Sequence, residues 1–200
     1  MAQTFNPIAS AFESWGKKTP SYEKHYENTI IKPLTDFGKG TNETSDAKGK
    51  VLGAGYEALI MAFFIGLYSD KRLPLRKDTG IKDLGQPIQY WGNIESRKGR
   101  KAYPRLRGYM FIALVSKTPG IDWLELEKGN RTINETVNSL VSTMEEYINY
   151  GLSVMEEKIQ EDETYFYNNS ALLDMFRRLT APETPPNRET NNDDTPESLD

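Results

Sequence analysis

The run YEALIMAFFIGLY, residues 56–68, restricts the fold more than any other stretch of the chain. Glu57 is its only charge, and at helical spacing its apolar side chains cover almost every side. Such a helix has to be enclosed, so the rest of the chain must bring several apolar faces to it.

Other segments offer those faces. Ile133, Val137, Leu140, Met144, Ile148, Leu152, Met155 and Ile159 recur at spacings of three or four, which predicts one long helix from Thr132 to about Glu161. Thr132 followed by Glu135 is the pattern of a capping box and fixes its start. A second apolar helix is expected from Pro104 or Arg105 to Lys117, stopped by TPG at 118–120, with a short turn around IDWLELEKG after it. Near the N-terminus, Asn6 as cap, Pro7, and Ile8, Phe12 and Trp15 predict a short amphipathic helix. Residues from about Ser21 to Ile31 read as another helix, limited by Pro33, and Tyr165 to Leu179 as the last. The expected class is a mainly α, single-domain bundle of four to six helices.

The expected organisation has three parts. Residues 1–50 hold the amphipathic helix, the next helix and a polar loop. Residues 51–180 form the helical core, with a long irregular insert at 70–104 in which PIQYW (87–91) can form a brief extended piece. Residues 181–200, proline-rich and acidic, are expected to be a disordered tail.

Composition excludes some chemistry. The chain has no cysteine and a single histidine, His25, so thiolate and multi-histidine metal sites are not expected, nor is a cofactor. No basic, apolar leader and no membrane-length apolar run is seen, which predicts a cytoplasmic protein without membrane contact. GAGYEA at 53–58 has the letters of a dinucleotide fingerprint but follows a polar loop instead of a strand, and reads as a helix start. Asp122, Glu125 and Glu127, with Lys128, carry the alternative of a magnesium-dependent hydrolase or nuclease.

Charge is distributed unevenly along the chain. The formal net charge is −4, yet residues 71–107 hold eleven Lys and Arg against three acids, while residues 143–200 hold fourteen acids against four bases. Lys71, Arg72, Arg76, Lys77, Arg97, Lys98, Arg100, Lys101, Arg105 and Arg107 are therefore the candidate contacts for a polyanion. Tyr90, Trp91 and Tyr103 are placed to lie against sugars or bases. Three destinations suit this charge: DNA, an acidic protein partner, or the protein's own acidic half, within one molecule or between copies. Glu145, Glu146, Glu156 and Glu157 read as a solvated stripe on the long helix unless something basic covers them.

The combination of YEALIMAFFIGLYSDKRLPL, GQPIQYWGNI, LRGYMFIALV and MEEYINYG resembles a group of small helical bacterial proteins found with DNA phosphorothioation (Dnd-type) and related anti-phage loci. The likeness centres on Tyr56 to about Leu75 and extends more faintly to Leu179. It implies an accessory component of a defence system acting on or near DNA, with Arg72 and Pro74 as a structural or contact turn and no catalytic residues to transfer. The leading expectation is thus a non-enzymatic accessory protein that contacts DNA or a partner subunit through its basic insert. A self-assembling helical scaffold is the third reading.

Overall fold

The computed structural model of the chain describes residues 6–35, 51–92, 103–168 and 170–180, and the fold is built from these. The elements, in chain order, are α1 (Pro7–Gly16), β1 (Ser21–Glu23), a π-helical turn (Glu27–Ile31) running into α2 (Lys32–Leu34), α3 (Gly55–Tyr68), β2 (Ile81–Asp83), α4 (Pro104–Lys117), α5 (Trp123–Glu127), α6 (Ile133–Glu161) and α7 (Ala171–Thr180). The fold is mainly helical, with one small two-stranded sheet.

Helices α3 and α6 form the centre. α6 begins as its sequence predicts: the Thr132 hydroxyl accepts the Glu135 N–H, and the Glu135 carboxylate accepts the Thr132 N–H. The two helices cross antiparallel at two glycines. A Cβ on Gly66 would collide with the Tyr147 carbonyl, and one on Gly151 with the Ala62 carbonyl. Backbone therefore meets backbone, and Leu59, Phe63, Ile65, Leu140, Met144, Ile148 and Leu152 are fully buried around the crossing.

The N-terminal segment closes one side of this pair. The Asn6 side chain caps α1 by accepting the Ala9 N–H, and α1 buries Ala11 and Trp15 against α6. Phe12 and Trp15 pack on Phe111 of α4, with ring centroids 5.1 and 5.6 Å away.

Three expectations change here. The segment after α1 does not start as a helix, because Ser21–Glu23 pairs antiparallel with Ile81–Asp83, in the register Ser21↔Asp83, Tyr22↔Lys82, Glu23↔Ile81. The extended piece of the insert is thus residues 81–83. Residues 87–91 instead make a 3-10 turn (Ile88–Tyr90), closed by the Trp91 indole donating to the Gln86 carbonyl at 3.0 Å. Helix then runs past Ile31 to Leu34 despite Pro33. The π register lets the Lys32 N–H reach the Glu27 carbonyl, and Pro33 falls in the first turn of α2, where a missing N–H is tolerated.

Candidate polyanion-binding site

The basic insert divides into two parts with different surroundings. In the first, residues 71–82, cations turn back onto the protein. The Leu73 N–H donates to the Glu146 carbonyl at 3.0 Å, laying the segment along the middle of α6. Arg72 then stands 3.6 Å from the Glu146 carboxylate and over the Tyr147 ring, and Lys71 stands over the Tyr150 ring. Lys82 pairs with Glu27 at 2.6 Å, where Lys32 also pairs at 3.1 Å.

Arg76 makes the most enclosed of these contacts. Its backbone N–H, Nε and Nη2 all donate to Glu23, whose side chain is fully buried, with the Nη2 bond at 2.9 Å. The Asn149 Nδ2 donates to the same carboxylate at 2.9 Å. Burial alone would push the Glu23 carboxyl up. The Arg76 and Asn149 donors outweigh that and hold it at about 2, below the ordinary 4.5. His25 lies between two carboxylates, 3.7 Å from Glu23 and 3.7 Å from Glu156.

Three of the four acids of the α6 stripe therefore have partners on the protein, while Glu157 is exposed. Glu146 meets Arg72, Glu156 meets His25, and Glu145 accepts the Ser21 N–H at 2.7 Å in a cleft of about 290 Å³ that Lys77 also lines. Burial raises the Glu145 carboxyl above the usual carboxylate range, and the Ser21 donors offset this only in part. Of these three cations Arg72 is met by the acidic half, at Glu146, whereas Arg76 and Lys82 are met by Glu23 and Glu27 of the N-terminal segment. Residues 71–82 and 21–27 clamp one another onto α6.

The second part has a different anchorage. Trp91 is enclosed and stacked on Tyr56, with centroids 5.9 Å apart, so its ring is a core element and not a surface for bases. Gly92, at φ +72°, presents its carbonyl to the Tyr103 N–H at 3.3 Å, and a Cβ there would collide with the Tyr103 ring. The Tyr103 hydroxyl reaches Glu57 at 3.4 Å, and burial together with hydrogen bonding to Tyr56 pushes its phenol up. Gly92 and Tyr103 thus form a stem that joins the two ends of the segment 93–102.

Beside the stem, Arg107 donates from Nη1 to the Gln89 carbonyl at 2.7 Å. This bond ties the 3-10 turn that carries Tyr90 to the first turn of α4, which carries Arg105; Tyr90 is half exposed and Arg105 is exposed. A cleft of about 280 Å³, lined by Phe12, Trp15, Gln89 and Arg107, opens against α1. Arg97, Lys98, Arg100 and Lys101 belong to the segment between Gly92 and Tyr103 and lie outside the described residues.

Two of the three carboxylates of the hydrolase alternative have structural partners, and the third, Glu127, is exposed. Asp122 caps α5 by accepting the Leu124 and Glu125 N–H groups, and Glu125 bonds Lys128 and Asn130. Among the described residues no group of three or more His, Asp or Glu side chains is gathered as a metal site. The GAGYEA stretch is the N-terminus of α3, where Glu57 accepts the Gly53 N–H at 2.7 Å. No helix among the described residues is long and apolar enough to cross a membrane.

No protein-family model matches the chain, and comparison with curated proteins and with solved structures gives no match.

Proposed function

We propose that this protein is a non-catalytic accessory protein that binds DNA through the basic segment at its Gly92–Tyr103 stem. The stem itself is the observation that carries this reading. Arg97, Lys98, Arg100 and Lys101 fall between two residues joined by a backbone hydrogen bond, one beside the enclosed Trp91 and the other tied to Glu57. From Ser96 to Ile121 the chain contains no acidic residue, and Glu95 is the one acid next to that charge in sequence. Arg105 and Tyr90 flank the stem as a further cation and a ring for a sugar or base.

By contrast, Arg72, Arg76 and Lys82 serve to hold the fold together, and the proposal gives them no direct DNA contact. The setting, a prokaryotic DNA-modification or anti-phage system, is part of the proposal and rests on the resemblance centred on Tyr56–Leu75.

The test is a fluorescence-anisotropy titration of labelled duplex and single-stranded DNA with wild type and with Arg97→Glu, Lys98→Glu, Arg100→Glu, Lys101→Glu combined. Wild type should bind and the variant should lose affinity by at least about a hundredfold, with an unchanged unfolding midpoint. Equal binding by the two proteins would overturn the reading. Binding only to an acidic protein would move the site's function to a protein partner.

A further inference from the structure

Phe12 and Trp15 of α1 pack on Phe111 of α4, and Arg107 precedes Phe111 by one turn on the same face of that helix. Its side chain is thereby brought to the C-terminal end of α1, where the cleft of about 280 Å³ opens. Phe12 and Trp15, stacked with ring centroids 6.1 Å apart, give the cleft an apolar wall. Its polar lining is Arg107, Gln89 and the exposed Lys17 and Glu13.

Two N–H donors of this lining lack an acceptor. Trp15 is fully buried, and nothing among the described residues accepts its indole N–H. Arg107 spends Nη1 on the Gln89 carbonyl, but its buried Nε is likewise without an acceptor there. Trp91 shows the usual arrangement, its enclosed indole donating to the Gln86 carbonyl. A buried donor left unmet is costly and uncommon, and here two of them belong to side chains that line one cleft. Charge narrows what meets them. Arg107 and Lys17 against Glu13 leave the lining one net positive charge, which suits a monoanion better than a phosphate dianion.

We infer that the cleft between α1 and the first turn of α4 binds a small monocarboxylate with an aromatic body. The carboxylate accepts from Arg107 and from the Trp15 indole, Lys17 adds a second cation, and the ligand's ring lies against Phe12. Both nitrogens are covered, so the half-buried Arg107 side chain turns as the ligand seats. The site is separate from the DNA reading, which uses neither Arg107 nor Lys17.

The probe is benzoate, titrated into the isotope-labelled full chain and followed by NMR at the indole N–H groups of its three tryptophans. Benzyl alcohol, with the same ring and no charge, and inorganic phosphate serve as controls. The Trp15 resonance should move downfield to saturation with benzoate, while that of Trp91, already bonded to Gln86, should stay in place. Neither control should reproduce the shift. Arg107→Gln should weaken benzoate binding by at least about tenfold. Lys17→Glu, at an exposed position outside the Arg107–Gln89 bond, should weaken it by at least about threefold with an unchanged unfolding midpoint, so the test stands even where Arg107→Gln loosens the fold. No saturable shift at Trp15, or equal affinity in Lys17→Glu, would overturn the inference. So would the same shift with phosphate, which would make the cleft indifferent to the carboxylate, or with benzyl alcohol, which would make it merely apolar. No nucleic acid is present in these measurements, so their outcome is independent of the DNA titration.

Discussion

Glu23 shows how a single residue organises the first half of the insert. An enclosed carboxylate is costly unless its charge is met, and here Arg76 supplies three N–H donors and Asn149 another. Because the folded carboxyl is held at about 2 against an ordinary 4.5, the folded state favours the charged form. That stabilisation is complete above pH about 4.5 and is lost as pH falls toward 2. Allowing for the solvent around the exposed Arg76 head, it amounts to about 2–3 kcal/mol. Urea unfolding should find Glu23→Gln less stable than wild type at pH 7, with the gap closing as the pH approaches 2. A gap of constant size would contradict this account of the cluster.

At the scale of elements, stability turns on the α3–α6 crossing. Gly66→Ala and Gly151→Ala each force a methyl group into a carbonyl of the facing helix, and each should cost at least about 2 kcal/mol. Gly108→Ala, in an equally helical setting but with open space, should be neutral or stabilising by up to about 1 kcal/mol. Thermal unfolding of the three variants checks the contrast, and a similar loss at all three would point to helix propensity alone. Elements with strong local signals were readable from sequence. Thr132 with Glu135 places the start of α6, Asn6 and Pro7 that of α1, and the apolar run that of α3. The β1–β2 ribbon was not, because it joins residues near position 22 to residues near position 82, and Tyr22, Tyr26 and Ile30 carry helical spacing of their own. The glycine crossing was also hidden, since Gly66 and Gly151 look like helix weaknesses until they are seen facing a partner backbone.

Over the whole molecule, the opposed charge of residues 71–107 and 143–200 has two outcomes. Charge asymmetry is legible in sequence, but which cation meets which acid is decided by packing: Leu73 on Glu146 brings Arg72 to α6, while the sheet takes Lys82 to Glu27, outside the acidic half. Those cations are structural. Trp91, readable as a stacking platform, is buried because the 3-10 turn points it at Tyr56. Positive charge assigned to an outside partner is then concentrated in Arg97, Lys98, Arg100 and Lys101, between Gly92 and Tyr103 in sequence, and in Arg105 just after. If these neutralise DNA phosphates, affinity must fall with salt by roughly 0.9 in log–log slope for each contact on duplex DNA. The most direct measurement is the DNA dissociation constant of the full chain across a series of salt concentrations. The account predicts a slope of about 3 to 5 for wild type, reduced by about 1 for each of Arg97, Lys98, Arg100 and Lys101 replaced by Ala, and unchanged in Arg72→Ala if that variant stays folded. A salt-independent affinity, or a slope that follows Arg72 and not the segment at the stem, would contradict it.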